Sequence, residues 1–111
     1  METIREDYYD AYHKGGGYFW QVFIYQILNK ANGKKWVSET FNLDVSKFGQ
    51  FYMLKKGTHP SKEFIKDYNT YGENAFEFSV LDVHNDINTL PKKYKDYIEF
   101  IKPEYNLQKN Y

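Results

Sequence analysis

The chain has 111 residues, no cysteine and a formal net charge of zero, from 15 basic and 15 acidic residues. This length predicts one domain with its own core, and the absence of cysteine excludes disulfides and thiolate metal ligands. A single arginine, Arg5, argues against sequence-specific DNA readout, which relies on a basic surface and bidentate arginines. No apolar run is long enough for a membrane span, and the acidic N-terminus does not resemble a signal peptide, so we expect a cytoplasmic protein.

Residues 1–17 predict a helical appendage and hinge that precede the domain proper, residues 18–111. Ile4, Tyr8 and Tyr12 recur every four residues, which places them on one face of a helix. The glycines at positions 15–17 end that helix and provide the hinge.

Aromatic and acidic residues are concentrated in and beside this appendage. Tyrosine and tryptophan supply large contact areas at low entropic cost, and acidic neighbours favour a basic partner. One interpretation is therefore a protein-binding surface formed by Tyr8, Tyr9, Tyr12, Trp20, Glu6, Asp7 and Asp10. The other is that the helix folds back onto the domain and buries Trp20 and Trp36 in ordinary packing.

The first part of the domain predicts a β-hairpin. Residues Tyr18 to Asn29 are rich in β-forming residues and apolar on both faces, which is typical of a central strand. Asn32-Gly33 is a hairpin signal, and the returning strand is predicted from Lys34 to Glu39.

Two helices are predicted after the hairpin. Asn42 or Asp44 can cap the first, which runs to about Lys56 before Gly57. Its packing face is predicted to consist of Val45, Phe48, Phe51, Tyr52 and Met53. The second helix starts near Ser61 and stops at Gly72, with an apolar face of Phe64, Ile65, Tyr68 and Tyr71.

A third strand and a last helix complete the pattern. The strand is predicted over Phe76 to Val83, and the helix begins around Pro91 and ends before Pro103. The order ββααβα, with a hairpin first, predicts a small α/β sandwich.

Four ordered stretches carry a resemblance to a known family. The first joins Phe23-Ile24-Tyr25 to Trp36-Val37-Ser38, and the last is Lys102-Pro103-Glu104-Tyr105-Asn106. With residues 54–59 and 68–78 between them, these stretches resemble the GIY-YIG nuclease family, in its homing-endonuclease-like branch. The resemblance implies an α/β (α+β) fold in which helices flank a three-stranded antiparallel sheet, here with an extra N-terminal helix.

The chemistry of that family implies which residues to expect at a site. A tyrosine activates water, an arginine steadies the phosphate and a glutamate holds a divalent metal. The first tyrosine, Tyr25, and a late asparagine, Asn106, are retained. The other positions carry different side chains: Trp36 replaces the second tyrosine, Ser46 the arginine, Gln50 a histidine and Tyr94 the metal-binding glutamate. We therefore expect a degenerate member with no metal, no cofactor and no enzymatic activity.

The leading functional hypothesis is protein–protein binding by an inactive nuclease scaffold. The habitat of the family suggests a phage or mobile-element inhibitor of a bacterial nuclease or defence complex, so the expected partner is a bacterial protein that handles nucleic acid. A first alternative is a weak DNA- or RNA-binding module that uses Lys47, Lys55 and Lys56. A second is a residual metal-dependent endonuclease that uses Tyr25, Lys47 and a displaced acid.

The histidines and the remaining lysine pairs suggest no further site. His13, His59 and His84 lack the spacing of metal ligands and are expected at the surface or in turns. Lys55-Lys56 and Lys92-Lys93 are expected on solvated helix surfaces.

Overall fold

The computed structural model describes residues 21–85 and 90–107. The predicted appendage, its boundary with the domain and its partner-binding residues, Trp20 included, lie outside these ranges, as does His13. In the described ranges, no helix is long and apolar enough to cross a membrane.

Three antiparallel strands form one sheet in the order β2-β1-β3. β1 is Val22–Asn29, β2 is Lys35–Thr40 and β3 is Phe76–His84. β1 lies between the other two and is buried along most of its length, so the predicted central strand is confirmed. The predicted hairpin is also confirmed, with Gly33 at a φ of 82°, a left-handed conformation that favours glycine.

Four α-helices in the described part of the chain accompany the sheet: α1 is Leu43–Lys56, α2 is Lys62–Tyr71, α3 is Leu90–Ile101 and α4 is Glu104–Leu107. The Asn42 side chain accepts a hydrogen bond from the Val45 N–H at 3.1 Å and begins α1. The Ser61 hydroxyl does the same for α2, at 3.3 Å from the Phe64 nitrogen. These predicted caps are confirmed, whereas the short α4 has no counterpart in the prediction.

Helices cover both faces of the sheet, as the predicted fold class requires. On one face, α1, α2 and α4 enclose the main core, which includes Phe23, Tyr25, Leu54, Phe64, Phe78 and Tyr105. On the other face, α3 packs against a smaller cluster of Val22, Ile24 and Val37.

The exposed face of α1 contradicts the prediction for this helix. Val45, Phe48 and Tyr52 are 65%, 71% and 49% exposed, although the pattern places them on the packing face. Phe51 is buried as predicted, and α1 buries it together with Leu43 and Leu54, which the prediction did not include. At about 100° per residue the two sets lie on different sides of the helix. α1 therefore has two apolar faces, and the sheet covers one of them.

Two further aromatic side chains are exposed next to these helices. Phe41, which precedes α1, is 54% exposed. Tyr71, predicted to pack in α2, is also exposed, because it lies in the last turn of the helix.

The segment Glu104–Asn106 closes the outer edge of β2. The Asn106 side chain accepts a hydrogen bond from the Val37 N–H at 2.8 Å and donates one to the Val37 carbonyl at 2.7 Å. The Glu104 carboxylate accepts a hydrogen bond from the Lys35 N–H at 3.1 Å. Because β2 is an edge strand, these side chains satisfy backbone groups that would otherwise face a further strand.

Candidate functional site

Tyr25 lies in the main core, and α1 closes off its hydroxyl group. The residue is 0% exposed, and its ring stacks on Phe78 with the centroids 4.8 Å apart. The Ser46 hydroxyl and the Gln50 amide both donate hydrogen bonds to the Tyr25 oxygen, at 2.9 and 3.0 Å. Beside it, the register with β3 shifts between Ile24 and Tyr25, and such an irregularity re-aims a side chain. Tyr25, Ser46 and Gln50 thus form one hydrogen-bonded group.

His59 extends this group into the loop between α1 and α2. Its Nδ1 accepts a hydrogen bond from the Ser61 N–H at 3.0 Å, so Nε2 carries the proton and donates it to the Gln50 carbonyl at 2.6 Å. The ring packs edge-on against Trp36 and Phe64, with centroids 4.6 and 4.9 Å away. His59 is 3% exposed, so its predicted surface position is wrong. The loop carries this residue, but the hydrogen bonds and the aromatic rings hold its side chain inside the core.

The remaining matched positions, Trp36, Tyr94 and Asn106, lie around β2. Trp36 is buried in the main core against His59. Tyr94 packs on the opposite face of the sheet and donates its hydroxyl to the Val37 carbonyl at 3.2 Å, the carbonyl that Asn106 also contacts. Burial, and then the carboxylate of Glu39, raises the pKa of Tyr94. Tyr94 and Asn106 therefore bind the β2 backbone.

A polar cluster on β3 anchors α3. Asp82 accepts a hydrogen bond from the Tyr97 hydroxyl at 3.0 Å and lies 3.7 Å from the Lys93 ammonium. His84 Nε2 lies 3.5 Å from the same carboxylate, and its side chain is only 11% exposed, so the predicted surface position is wrong here too. The Tyr97 and Lys93 contacts of Asp82 join α3 to β3, whereas its His84 contact lies within β3.

A second buried network joins the hairpin to the C-terminal segment. The Tyr105 hydroxyl donates to the Asp67 carboxylate at 2.8 Å and accepts from the Asn29 amide at 3.1 Å. The Asn32 amide in the hairpin turn also donates to Asp67, at 3.1 Å. Burial raises the pKa of Tyr105, so this phenol stays neutral. The tyrosine of the Pro103-Glu104-Tyr105-Asn106 stretch is thus a structural residue.

The lysines of the nucleic-acid alternative lie on α1 near an open pocket of about 330 Å³. Lys47 and Lys55 line this pocket together with Asp44 and Glu73, and the Lys55 ammonium lies 3.8 Å from the Glu73 carboxylate. Two cations therefore meet two carboxylates, which leaves the pocket without an excess of positive charge. Lys56 is exposed and places its ammonium over an aromatic ring of its own helix, at 5.7 Å.

The groups that contact the Tyr25 hydroxyl are electrically neutral. A charged phosphate needs a cation for neutralisation, and Lewis-acid assistance needs carboxylate or imidazole ligands for a metal. Within residues 21–85 and 90–107, no group of three or more His, Asp or Glu side chains is arranged to hold a metal ion. The arrangement can hold Tyr25 as a hydrogen-bonded phenol, and its polar atoms are already used in doing so.

No protein-family model matches the chain, and no curated protein does. Among solved structures, it is similar to the catalytic domain of the homing endonuclease I-TevI, with a TM-score of 0.65 and 26% sequence identity, over 73% of this chain and 88% of that one. A glutamate-to-alanine mutant of the same catalytic domain, described as that of an intron endonuclease, gives a TM-score of 0.66 and 26% identity over 74% and 84%. The chain has a GIY-YIG-like fold. The fold that the resemblance implied is thereby confirmed.

Two residues of this GIY-YIG-like domain were missed by sequence reasoning. His59 contacts Gln50 and Trp36, and Glu39 is the carboxylate that acts on Tyr94. The position of His59, two residues before the Ser61 cap of α2, is a weak signal, because a cap fixes the loop that precedes it. Glu39 has no signal in the sequence beyond its place in β2.

Proposed function

We propose that this GIY-YIG-like protein does not cleave nucleic acid and acts by binding another protein, which it inhibits. Its target is a bacterial protein that handles nucleic acid, such as a nuclease or a defence complex. The habitat of the homing-endonuclease-like family supports a phage or mobile element as its source and the host cytoplasm as its place of action.

The main support for the absence of cleavage is that the Tyr25 hydroxyl is buried and already hydrogen-bonded. A general base must lie within hydrogen-bonding reach of the water that it activates. Tyr25 is 0% exposed, and its oxygen already accepts hydrogen bonds from Ser46 and Gln50. Ser46 and Gln50 stand where the family has an arginine and a histidine. The substitutions therefore remove the cation, and they also occupy the Tyr25 hydroxyl oxygen with two hydrogen bonds.

Charge supports a protein partner over a nucleic acid. The chain has no net charge, and the pocket that Lys47 and Lys55 line also contains two carboxylates. Nucleic-acid binding depends on release of counterions by clustered cations. The proposed contact surface is the aromatic and acidic set in and beside the appendage: Tyr8, Tyr9, Tyr12, Glu6, Asp7, Asp10 and Trp20.

The first experiment tests cleavage. Purified protein is incubated with supercoiled plasmid and with RNA in Mg²⁺ and in Mn²⁺, beside Tyr25→Phe and Glu39→Gln variants. We expect the wild type and both variants to give the same background. Metal-dependent cleavage that Tyr25→Phe abolishes would overturn the proposal, and its loss in Glu39→Gln would identify a displaced acid. A Ser46→Arg/Gln50→His/Tyr94→Glu variant asks whether the missing groups restore cleavage.

The second experiment tests binding. Tagged full-length protein is used to capture partners from nuclease-treated bacterial lysate, beside a Glu6→Lys/Asp10→Lys variant and a Lys92→Glu/Lys93→Glu control on α3. We expect a stoichiometric protein that the wild type and the control retain and the first variant loses. The purified partner's own activity is then measured with and without this protein. If only nucleic acid is captured, or if the partner's activity does not change, the inhibitor proposal fails.

A further inference from the structure

The two outer edges of the sheet differ in how they are covered. Side chains of residues 104–106 close the β2 edge with hydrogen bonds to its backbone. The other outer edge belongs to β3, and within residues 21–85 and 90–107 no strand pairs with it. An open strand edge offers unpaired N–H and carbonyl groups to a further strand.

β1 forms its hydrogen bonds with alternate residues of β3. The Lys30 N–H donates to the Ala75 carbonyl at 2.8 Å, and the register places the next bonded positions of β3 at Glu77 and Ser79. The residues between these positions direct their backbone groups away from β1, towards the outer edge. They are Phe76, Phe78 and Val80.

The open part of this edge has a defined length. At its start, the 3-10 turn Glu73–Ala75 precedes the strand, and the Glu73 carbonyl accepts a hydrogen bond from the Phe76 N–H. Beyond Val80 the register with β1 shifts, and the Val83 N–H donates to the Asp82 side chain at 2.8 Å. Bulges and side chains that occupy backbone groups both interrupt strand pairing. Further pairing is therefore confined to residues 76–80.

This segment is complementary to a second copy of itself. In an antiparallel pair centred on Phe78, Phe76 lies opposite Val80 of the second copy, and Glu77 lies opposite Ser79 of the second copy. No like charges face each other in this register, and a serine hydroxyl can donate a hydrogen bond to a carboxylate. The chain also has no net charge, so two copies do not repel each other strongly.

Apolar surface lies close to the same edge. The Lys47 ammonium of α1 lies 5.7 Å from the centroid of the Phe78 ring, so α1 reaches β3 at the centre of the open segment. Phe48 and Tyr52 on α1 are 71% and 49% exposed, and both line an open pocket that also includes Glu73, three residues before the strand begins. A strand added to β3 would lie beside this pocket and reduce its contact with water.

We propose that the outer edge of β3 is a dimerisation surface, at which residues 76–80 of two copies pair in antiparallel fashion about a twofold axis at Phe78. The two sheets then join into one with the strand order β2-β1-β3-β3-β1-β2. Both of its outer edges are β2 edges, which residues 104–106 already close. A second copy therefore leaves no edge open, and twofold dimers are the commonest homo-oligomers. The inference goes beyond the proposed function and does not depend on it.

Amide hydrogen exchange on the full-length protein tests whether this edge is covered by a second copy. As the protein concentration rises, exchange at the Phe78 and Val80 amides should slow at least about tenfold. The Ser79 amide is the matched control, because it faces β1 and should exchange slowly at every concentration. Sedimentation equilibrium on the same samples should show the monomer converting to a dimer.

A charge exchange tests the register. Ser79→Glu places a carboxylate opposite Glu77 of the second copy, twice in each dimer, and like charges directly opposite weaken a strand pair. The dissociation constant of the dimer should rise at least about tenfold. Glu77→Lys/Ser79→Glu replaces the repulsion with attraction and should restore dimerisation. Asn69→Glu adds the same charge at an exposed position on α2 and should leave the dissociation constant unchanged. Thermal unfolding of each variant checks that the domain is intact.

Three results would overturn the proposal. A monomer at every concentration, with rapid exchange at Phe78 and Val80, would show that the edge stays open. Slow exchange at these amides in a monomer would show that another part of the same chain covers the edge. A dimer that Ser79→Glu does not weaken would place the contact between copies elsewhere on the domain.

Discussion

Tyr68 shows how burial in this fold changes the pKa of a tyrosine. Its hydroxyl donates a hydrogen bond to Glu73 at 2.8 Å, beside the main core. Burial, and then this hydrogen bond, raises the pKa of Tyr68 from 10.0 to about 12. The pKa values of Tyr94 and Tyr105 are raised as well, mainly by burial. All three tyrosines therefore favour the neutral form in the folded protein.

We predict that alkaline pH destabilises the protein through these residues. Because the folded pKa of Tyr68 lies above its ordinary value, its stabilising effect is complete below about pH 10 and is lost as the pH rises towards about 12. Tyr68→Phe should reduce the fall in the free energy of unfolding across this range by on the order of 1 to 3 kcal/mol. Tyr71→Phe, at an exposed position on the same helix, should leave the fall unchanged. Denaturant unfolding at several pH values measures both, and equal falls in both variants would contradict the prediction.

The candidate site was predictable where the matched residues contact each other directly. Ser46 and Gln50 were identified from their places in a resemblance, and both contact Tyr25. His59 was missed because its contacts, Gln50, Trp36 and Phe64, come from three separate elements. Spacing along a chain reports neighbours on one element, and it carries no information on such a tertiary arrangement.

At the scale of the elements, alanine substitutions at two glycines, one at the end of α1 and one within it, should change the free energy of unfolding in opposite directions. Gly57 ends the helix at a φ of 77°, so Gly57→Ala should cost roughly 1 to 2 kcal/mol. Gly49 lies within α1, and an added Cβ would meet nothing within 4 Å, so Gly49→Ala should stabilise by about 0.5 to 1 kcal/mol. The free energy of unfolding is measured for both, and a loss in Gly49→Ala would show a contact on that side of the helix.

Asn106 provides the second prediction at this scale. Asn106→Ala removes both hydrogen bonds to Val37 and should destabilise by roughly 1 to 3 kcal/mol. Asn106→Asp can still accept from the Val37 N–H but cannot donate to the carbonyl, so it should recover part of that loss at most. Hydrogen exchange at the Val37 amide should accelerate in Asn106→Ala. Asn69→Ala, at an exposed position on α2, is the control, and equal exchange rates would contradict the assigned role.

The element boundaries were predictable because local chemistry sets them. Asn42 and Ser61 cap their helices with their own side chains, and Gly57 and Gly72 end them. The face of α1 that packs was not predictable, since apolar residues occupy two sides of this helix. Periodicity identifies apolar faces, and the sheet then decides which of them it covers.

For the molecule as a whole, the charge balance predicts weak or absent nucleic-acid binding. When the protein is titrated into labelled single-stranded or duplex DNA, the fluorescence anisotropy of the DNA should show no salt-dependent rise. A Lys47→Glu/Lys55→Glu/Lys56→Glu variant should behave like the wild type and like Lys92→Glu/Lys93→Glu on α3. Binding that weakens as salt rises, and that disappears in the triple variant alone, would support the nucleic-acid alternative instead.

The closure of the β2 edge has a consequence for folding during synthesis of the chain. Val37 and the Asn106 that seals it are 69 residues apart, so a ribosome releases the hairpin long before it releases the seal. Until then the outer strand has open backbone groups that can recruit another nascent chain. A chain that ends before Glu104 lacks the side chains that satisfy this edge, whereas a chain that includes Glu104–Asn106 carries them. Interruption of synthesis before Glu104 thus yields a product whose β2 edge stays open to pairing with another strand.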